Sequence, residues 1–431
     1  MIPRPVIAIL AVVAAALVVP LAAPMVTPAW ADYTAGERAA ARGDYATAAR
    51  EWRPAAEAGD TRAQFGLATL YAAGKGVARD DAEALRWYRK AAVAGHVEAR
   101  YLLGLYLDEG RGVAADSREA VRWYRLAAEA GHAGAQNALG TALAEGRGVA
   151  RNPAEAARWY RRAAEAGDAR GQFNLANALD QGRGVARDPA QALRWTHAAA
   201  EQGLAQAQYN LGVAYKTGAG VPADPSLAVR WYRAAAAQGL AKAQYDLGAA
   251  LANGAGVARD PAAAARWYRA AAEQGMASAA YNLALLYDFG QGLPVDKARA
   301  ARWYRQAAEQ GHAKAQNNLG LLYENGNGIP KDYVLAFKFF RSSARQDNPQ
   351  AQYNLARFYY FGRGTNRDFI NAVRYYEKAA NNGDAEAQFS LGIMYDRGEG
   401  VSRDLDKARL WYRRAAEKGV EGARRRLDEL E

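Results

Sequence analysis

A spacing of 36 residues runs through most of this chain of 431 residues. Tryptophan and its aromatic substitutes recur at that spacing in one column: Trp87, Trp123, Trp159, Trp195, Trp231, Trp267, Trp303, Phe339, Tyr375 and Trp411. A Gly-x-Gly pair keeps the same spacing, from Gly74 and Gly76 to Gly398 and Gly400. A fixed period of this length is typical of repeat proteins, in which each supersecondary unit packs only on its neighbours. The period therefore predicts a stacked array and favours an interaction scaffold over an enzyme.

Residues 168–203 show how one unit is built. The first helix carries Leu175, which belongs to a leucine column, and Ala176, a small residue that lets the partner helix approach. Asp188 before Pro189 predicts the start of a second helix, because aspartate caps a helix N-terminus and proline fits its first turn. The aromatic and leucine columns are expected to form the core. Each unit is thus a helix–loop–helix, and the fold class is all-α.

Two sets of residues are expected to serve this local structure rather than chemistry. Asp224 and Asp260 occupy the position of Asp188 in later units, and one capping role accounts for all three carboxylates. The loop glycines are expected to adopt positive φ, which glycine tolerates best. They include Gly182, Gly184, Gly218 and Gly220.

Composition and charge narrow the kinds of site. The chain has no cysteine and only four histidines, so we predict no disulfide, no metal and no cofactor. The net charge of +11 would by itself suit nucleic acid, but much of it lies in two arginine columns, which begin at Arg86 and Arg89. Arginine stems that lie over aromatic rings and beside carboxylates explain these columns. No nucleic-acid partner is therefore predicted.

Residues 1–31 have the pattern of a secretory signal. Arg4 supplies the positive start, residues 7–19 are apolar, and residues 29–31 (Ala-Trp-Ala) fit the cleavage rule of small residues. The apolar run is shorter than the about 20 residues that a membrane helix needs. We therefore expect a mature chain that begins at Asp32, has no membrane span and is exported to a bacterial periplasm. Secretion, attachment to the outer membrane and an uncleaved anchor are the alternatives.

The repeated pattern resembles the Sel1-like repeat, a relative of the tetratricopeptide repeat. The resemblance rests on residues 207–212 (Ala-Gln-Tyr-Asn-Leu-Gly), residues 218–221 (Gly-Ala-Gly-Val), Asp224 and the pair Trp231-Tyr232. It covers residues 60–419 as ten units. It implies a right-handed α-solenoid that binds other proteins, as exported bacterial members do in signalling, envelope assembly and secretion. Residues 32–59 are then expected to form an N-terminal helical hairpin, and residues 420–431 a capping helix.

No catalytic motif accompanies this resemblance. Some cysteine-rich family members have been described as β-lactamase-like, but a penicillin-interacting enzyme needs Ser-x-x-Lys, Ser-Asp-Asn and Lys-Thr-Gly. The chain has only Lys-Thr-Gly at residues 216–218, where the glycine belongs to the repeat loop. His96, His132 and His312 share a column that also holds leucine and methionine, which predicts a tolerant surface position. The sequence therefore predicts a protein that is not an enzyme.

An asparagine column offers the first candidate binding site. The side of the first helix opposite the core, with the columns of Arg62, Gly66, Thr69 and Ala73, is expected to be free. The Gly66 column becomes polar in later units: Asn174, Asn210, Asp246, Asn282, Asn318 and Asn354. Asparagine both donates and accepts hydrogen bonds, so such a ladder can hold an extended peptide backbone. The alternative, that these amides bond within or between repeats, stays open.

Aromatic residues in units seven to nine offer the second candidate site. Phe289, Tyr360 and Phe361 stand where other units carry polar residues such as Asp108 and Glu109. Exposed aromatic residues that cluster in one stretch indicate a site for a partner. Local repacking of the core is the alternative.

The sequence as a whole predicts a non-enzymatic adaptor of the bacterial envelope whose partners are other proteins. A protein that binds peptidoglycan or polysaccharide is the alternative, since exposed aromatic rings also stack on sugars. A β-lactamase-like hydrolase is a second alternative, for which the chain offers no complete catalytic motif.

Overall fold

The computed structural model describes residues 33–430, so the predicted signal at residues 1–31 lies outside the described part of the chain. Residues 33–430 form helices and no strands. The helices are α1 (Tyr33–Ala41), α2 (Tyr45–Glu57), α3 (Thr61–Ala73), α4 (Asp81–Val93), α5 (Val97–Glu109), α6 (Ser117–Glu129), α7 (Ala133–Glu145), α8 (Pro153–Glu165), α9 (Ala169–Gln181), α10 (Pro189–Glu201), α11 (Ala205–Thr217), α12 (Pro225–Ala237), α13 (Ala241–Asn253), α14 (Pro261–Glu273), α15 (Ala277–Phe289), α16 (Lys297–Glu309), α17 (Ala313–Asn325), α18 (Tyr333–Ala344), α19 (Pro349–Phe361), α20 (Phe369–Asn381), α21 (Ala385–Arg397), α22 (Leu405–Glu417) and α23 (Glu421–Leu430). None of these helices is long and apolar enough to cross a membrane.

The helices pair along the chain as an α-solenoid, as the sequence predicted. The odd-numbered helices from α3 to α21 are the first helices of the repeats, and the even-numbered helices from α4 to α22 are the second helices. The chain divides into two compact units; unit 1 ends at Leu211 and unit 2 begins at Gly212. Within each unit a second helix packs against the first helix of its own repeat and against the first helix of the next repeat.

The core of both units is built from leucine and small residues that pack on aromatic rings. Leu139 in unit 1 and Leu355 in unit 2 are fully buried. Gly140 lies so close to the ring of Tyr160 that an added Cβ would collide with it. The small residue after each column leucine therefore lets the aromatic residue of the second helix pack directly on the first helix.

The tryptophan column is less buried than the sequence predicted. Trp87, Trp159 and Trp411 are buried, but the other members of the column are only half-buried. The residue that follows the tryptophan can be more deeply buried: Trp123 is half-buried, whereas Tyr124 is 2% exposed. The two positions differ because consecutive helical residues point about 100° apart, so that only one of them faces the first helices directly. Cations lie over several of the tryptophan rings. The guanidinium of Arg86, for example, lies 4.5 Å from the centroid of the Trp87 ring.

The two loop glycines of a repeat have different functions. Gly182 ends α9 in the left-handed region with a φ of 66°. Gly184 also has a positive φ, of 71°, and in addition lies against the backbone of Pro153, where an added Cβ would collide. The second glycine therefore seats the loop on the second helix of the preceding repeat, a contact that the sequence did not predict. Gly218 and Gly220 have φ values of 76° and 77°.

The aspartates that recur before the second helices act as N-terminal helix caps. Asp188 accepts a hydrogen bond from the backbone N–H of Gln191 at 2.9 Å. Asp224 and Asp260 accept equivalent bonds at the starts of α12 and α14. These bonds satisfy N–H groups that have no partner within the first turn of a helix.

The histidine column tolerates several residue types, as the sequence predicted, but its histidines are half-buried instead of lying at the surface. His96 Nδ1 accepts a hydrogen bond from the backbone N–H of Ala99 at 3.2 Å, and its ring stacks on Phe65 with centroids 4.3 Å apart. His312 caps α17 in the same way. Burial lowers the pKa of both histidines. The leucine and methionine that begin α13 and α15 make no such cap bond, so the column varies while histidine still has a structural role in it.

Helices outside the repeats lie at both ends of the described chain. Helices α1 and α2 form a hairpin in which Trp52 packs on Gly36 and Gly66 and donates from Nε1 to the carbonyl of Tyr33 at 3.1 Å. Helix α23 packs on α22. The exact boundaries assigned from the sequence stay a prediction.

Candidate functional site

In unit 1 the predicted asparagine ladder is bonded within the solenoid. Asn174 Nδ2 donates to Asn137 Oδ1 at 2.8 Å, which joins the first helices of two successive repeats. Asn210 accepts at Oδ1 from Gln206 Nε2 at 3.1 Å. Both asparagines are half-buried.

The ladder members of unit 2 are bonded in a similar way. Asn354 Nδ2 donates to Asn317 Oδ1 at 3.0 Å, and Asn318 Nδ2 donates to the hydroxyl of Tyr304 at 3.1 Å. Asp246 Oδ1 accepts a hydrogen bond from Lys216 Nζ at 3.2 Å. Asn282 Nδ2 donates to the hydroxyl of Tyr245 at 3.5 Å. Each amide keeps further donor or acceptor capacity, so a binding role for the ladder stays a prediction.

The expectation that this side of the first helices is free is wrong at three positions. Thr69 is 8% exposed, Leu102 is 4% exposed, and Asn354 is 6% exposed. Neighbouring first helices lie against each other here, as the bond between Asn354 and Asn317 shows. A partner peptide would therefore contact only part of these columns.

Phe289, at the end of α15, is one of the exposed aromatic residues that the sequence singled out. It is 62% exposed, and Lys297 Nζ lies 5.6 Å from the centroid of its ring. Val295, in the following loop, is 60% exposed. These residues form a small apolar surface with a cation beside it.

Phe361, at the end of α19, is 54% exposed and belongs to a second group. Its ring lies 4.9 Å from that of Tyr360, edge to face. Arg363 places its guanidinium 5.2 Å from the ring of Phe361 and 5.6 Å from the ring of Tyr333. A hydrogen bond of 3.1 Å from Arg363 to the buried carboxylate of Glu324 holds this guanidinium in place.

Tyr360 is anchored rather than exposed. Its hydroxyl donates to Glu399 Oε2 at 2.8 Å, and its ring lies 5.3 Å from that of Phe369. Burial, and then the hydrogen bond to Glu399, raise the pKa of Tyr360. Among the rings in the described chain, no contact joins the Phe361 group to Phe289, so the three predicted aromatic residues form two separate groups.

Two exposed aliphatic residues in the repeat of Phe361 and in the repeat before it were missed by the sequence analysis. Val334 is 64% exposed and Ile370 is 72% exposed, each in the first turn of a second helix. The backbone of Gly364 lies against that of Tyr333 and Val334, which places the loop after Phe361 beside Val334, and Gly400 lies in the same way against Phe369, which precedes Ile370. We call Val334, Phe361 and Ile370 the apolar edge. The signal in the sequence was there, because Ala298 and Asp406 hold this column in the neighbouring repeats.

An open groove of about 710 Å³ lies in unit 1, beside the second helix α4 and the start of α3. Leu85 and Val93 line it together with Arg89 and Lys90. Gln64 also lines it, but its Oε1 is buried, without a hydrogen-bond partner among the described residues. The groove therefore offers apolar surface and cations.

The glutamine column of the first helices links successive repeats, which the sequence analysis also missed. Gln172 Nε2 donates to the carbonyl of Ala164 in the preceding second helix at 3.4 Å. Gln172 Oε1 accepts from Gln202 Nε2, at the end of the second helix of its own repeat, at 2.9 Å. Gln244 and Gln274 repeat this last bond at 2.8 Å in unit 2. Glutamine recurring at both columns was the signal in the sequence.

The residues of the Lys-Thr-Gly tripeptide have structural contacts. Lys216 Nζ donates to Asp246 Oδ1 at 3.2 Å, and Thr217 Oγ1 donates to the carbonyl of Val213 at 2.9 Å. Within residues 33–430 no group of three or more His, Cys, Asp or Glu side chains is placed to hold a metal ion. The exposed side chains suit contact with another macromolecule.

A family comparison identifies the repeats. The Sel1 repeat family matches the chain as ten consecutive repeats that cover residues 61–420: 61–96, 97–132, 133–168, 169–204, 205–240, 241–276, 277–312, 313–348, 349–384 and 385–420. No curated protein matches the chain.

Two solved structures are similar over most of their length. One is a protective antigen present in uropathogenic Escherichia coli strains that displays an SLR fold; it is 36% identical, with a TM-score of 0.81, and the match covers 89% of this chain and 82% of the antigen. The other is a Sel1 repeat protein from Oxalobacter formigenes, 33% identical, with a TM-score of 0.52 and coverage of 72% and 90%. The chain therefore belongs to the Sel1 repeat family, whose proteins are generally scaffolds for protein–protein interaction and generally not enzymes.

Proposed function

We propose that this protein is an adaptor of the bacterial cell envelope that holds partner proteins on its solenoid surface without chemistry of its own. The apolar edge of unit 2 is the main contact. Three large apolar side chains that are each more than half exposed lie there within two adjacent repeats. Exposed apolar surface of this kind is typical of interaction sites.

The composition of the apolar edge favours a protein partner. Phe361 offers a flat ring with Arg363 beside it, and Val334 and Ile370 add exposed aliphatic surface in the same two repeats. Aromatic residues and arginine are the residues most enriched at the centres of protein interfaces. A sugar would use the ring of Phe361 but gain little from the aliphatic side chains, so a polysaccharide is the weaker candidate.

Export is part of the proposal and rests on the pattern of residues 1–31. A positive start, an apolar run and a small-x-small cleavage site are together typical of a secretory signal. N-terminal sequencing of the protein purified from its own cells tests this part directly. Asp32 as the first residue would support it, and a protein that retains residues 1–31 in the cytosolic fraction would contradict it.

The partner-binding part is tested by a crosslinked pull-down from intact cells. The tagged full chain is compared with a variant that carries Phe361→Ser and Ile370→Ser. We expect the variant to lose at least one crosslinked protein, because removing two exposed apolar side chains weakens an interface by about tenfold or more.

Leu410→Ser provides the control. Leu410 is 44% exposed, lies in α22, and belongs neither to the apolar edge nor to the groove of unit 1. Partners retained by Leu410→Ser and lost by the double variant would place the contact at the edge. If both variants hold the same proteins as the unchanged chain, the edge is not the contact, and if only cell-wall fragments are recovered, the glycan alternative gains support.

A further inference from the structure

Four successive second helices of unit 1 and the first four of unit 2 contain equal numbers of cations but different numbers of carboxylates. Helices α4, α6, α8 and α10 of unit 1 have ten arginines and lysines and seven acidic residues: Asp81, Glu83, Glu119, Glu129, Glu155, Glu165 and Glu201. Helices α12, α14, α16 and α18 of unit 2 also have ten arginines and lysines but only two acidic residues, Glu273 and Glu309. The excess positive charge of these helices is therefore concentrated in unit 2.

Exposed side chains carry most of this excess. Two cations per helix, three residues apart, point to the same side of α12, α14, α16 and α18, and all are exposed. We call them the basic face: Arg230, Arg233, Arg266, Arg269, Arg302, Arg305, Lys338 and Arg341. Gln306 of α16 donates to the carbonyl of Ala272 in α14 at 2.6 Å, so neighbouring second helices lie within side-chain reach of each other.

Unit 1 shows what occupies the equivalent positions when carboxylates are present. Arg89 of α4 donates to both carboxylate oxygens of Glu119 in α6, at 2.9 Å and 3.0 Å. Arg125 of α6 donates to Glu155 of α8 at 3.1 Å. In both pairs the glutamate comes 30 residues after the arginine. A carboxylate from the neighbouring helix thus satisfies each arginine.

The corresponding carboxylates are missing in unit 2. The positions 30 residues after Arg233, Arg269 and Arg305 hold alanine, arginine and leucine. Arg269 and Arg305 donate instead to the neutral hydroxyls of tyrosines in the first helices, each at 2.6 Å. Within the described part of unit 2, no carboxylate forms an ion pair with any member of the basic face.

We propose that the basic face of unit 2 binds an extended acidic segment of a partner protein, whose glutamate or aspartate carboxylates take the places that Glu119 and Glu155 occupy in unit 1. The internal pairs of unit 1 provide the template, because they show that a carboxylate side chain fits between neighbouring second helices. Arginine–carboxylate pairs of this kind are stronger than neutral hydrogen bonds. The proposal does not depend on the apolar edge, although Val334 of that edge lies four residues before Lys338 and so on the same side of α18.

A fluorescent poly-L-glutamate peptide of about 20 residues is a suitable probe, added to the full chain. At about 3.3 Å per residue it reaches across four helices of about 10 Å diameter. Fluorescence anisotropy measures its binding at low and at physiological ionic strength. We expect binding that weakens as salt rises, because the contacts are exposed charges.

Two matched sets of variants test where the peptide binds. Arg233→Gln and Arg269→Gln together should weaken binding by about tenfold or more. Arg89→Gln and Arg125→Gln make the same change in unit 1 and should weaken it by less than about twofold, because Glu119 and Glu155 already neutralise these two arginines. Arg161 is left unchanged, because the position 30 residues after it holds Gln191 instead of a carboxylate. Equal losses in the two sets would overturn the proposal.

A second pair of variants restores the missing carboxylates without removing a cation. Ala263→Glu and Leu335→Glu together copy the positions of Glu119 and Glu155 and should weaken peptide binding by about tenfold. Ala263→Gln and Leu335→Gln control for shape and should change it by less than about twofold. If the glutamate variant binds the peptide as well as the glutamine variant, the template is wrong.

The same assay distinguishes an acidic protein segment from other polyanions. A DNA duplex and a phosphatidylglycerol vesicle are measured beside the peptide at physiological salt. Binding of the peptide alone supports the proposal. Binding of the duplex or the vesicle without the peptide, or no binding of the peptide even at low salt, overturns it.

Discussion

In unit 1, Ala94 and Ala166 end second helices, and the amide oxygens of Gln64 and Gln136 are buried without a hydrogen-bond partner within residues 33–430. In four repeats of unit 2 the equivalent of these alanines is a glutamine. Gln274, for example, ends α14 and donates to the corresponding oxygen at 2.8 Å. The division between the units is not complete, because Gln202 makes the same bond to Gln172 in unit 1, and Gln388 Oε1 of unit 2 is buried without a hydrogen-bond partner among the described residues. The same 36-residue plan thus satisfies this oxygen in some repeats and leaves it unsatisfied in others.

The charges also differ between the units. In unit 1 Glu119 satisfies Arg89, and Glu155 satisfies Arg125, each from the neighbouring second helix. In unit 2 the equivalent arginines have no carboxylate partner in the described chain, and the apolar edge lies there as well. This comparison shows that the 36-residue repeat determines the core, whereas the side chains between neighbouring second helices vary from one repeat to another. Unit 2 is the region with more unsatisfied charge and more exposed apolar surface.

The largest expected effect tests whether the two cores are equivalent. Leu139→Ala in unit 1 and Leu355→Ala in unit 2 should each lower the free energy of unfolding by about 2–5 kcal/mol, because both side chains are fully buried. Urea unfolding, followed by circular dichroism, measures the loss. Losses that differ by more than about 2 kcal/mol would show that the cores themselves differ.

The next effect concerns the glutamine link. Gln274→Ala should lower the free energy of unfolding by about 1–3 kcal/mol, because it leaves Gln244 Oε1 buried and unpaired. Ala94→Gln should raise it by about 0.5–1.5 kcal/mol, because the new amide can donate to Gln64 Oε1. Both changes are measured by urea unfolding.

Ala130→Gln is the control for this pair. Ala130 ends α6 in the same way as Ala94, but the residue 30 positions before it is Arg100, whose guanidinium donates and cannot accept. No gain is therefore expected. A gain equal to that of Ala94→Gln would mean that glutamine stabilises the helix end by some other contact.

A smaller effect depends on pH and tests one cap in each unit. Burial lowers the pKa of His96 in unit 1 and of His312 in unit 2 below the ordinary value of about 6.5. The unfolded chain therefore takes up a proton first as the pH falls through that value, so stability is full above about pH 6.5 and decreases below it. Protonation also removes the lone pair of Nδ1 that accepts the cap bond.

Thermal unfolding at pH 7.5 and pH 5 measures this dependence. His96→Asn and His312→Asn together should reduce the loss of Tm at the lower pH, since asparagine caps a helix without titrating. Asn348 already does so at the start of α19, where Oδ1 accepts from the backbone N–H of Ala351 at 3.1 Å. An unchanged pH dependence in the double variant would assign it to other groups.

The smallest expected effect separates the arginines of the two units. Arg89→Gln should lower the free energy of unfolding by less than about 1 kcal/mol, and less still at high salt, because its pair with Glu119 is partly exposed. Arg233→Gln, which breaks no ion pair, should leave stability unchanged. A loss at Arg233 as large as that at Arg89 would mean that an internal partner exists in unit 2.

Several features of the fold follow directly from the sequence. The 36-residue spacing predicts paired helices, because each helix needs its own caps, loop and apolar face. Asp188, Asp224 and Asp260 were predictable as caps, since aspartate before a helix satisfies its first N–H groups locally. Gly182 was predictable as the end of a helix, because the left-handed conformation depends only on the backbone of that residue.

The candidate site was predictable only in part. Phe289 and Phe361 break the polar pattern of their column, so the sequence alone indicated that they are unusual, and both are exposed. Val334 and Ile370 also break the pattern of their column, which holds Ala298 and Asp406 in the neighbouring repeats, but a single aliphatic residue in a first helical turn does not by itself show whether it is exposed. Their meaning depends on the loop of the next repeat that lies beside them.

The sequence by itself determined the helices, their caps and the repeat, because these depend on residues within one turn or one loop of each other. Only the tertiary structure decided which residues of neighbouring repeats meet. It placed Gly184 on the backbone of Pro153, joined Gln202 to Gln172, and paired Arg89 with Glu119. These contacts join residues about 30 positions apart, and the local sequence does not specify which side chains face each other across that distance. The 36-residue period sets the spacing between successive repeats, and packing between repeats decides which side chains make contact.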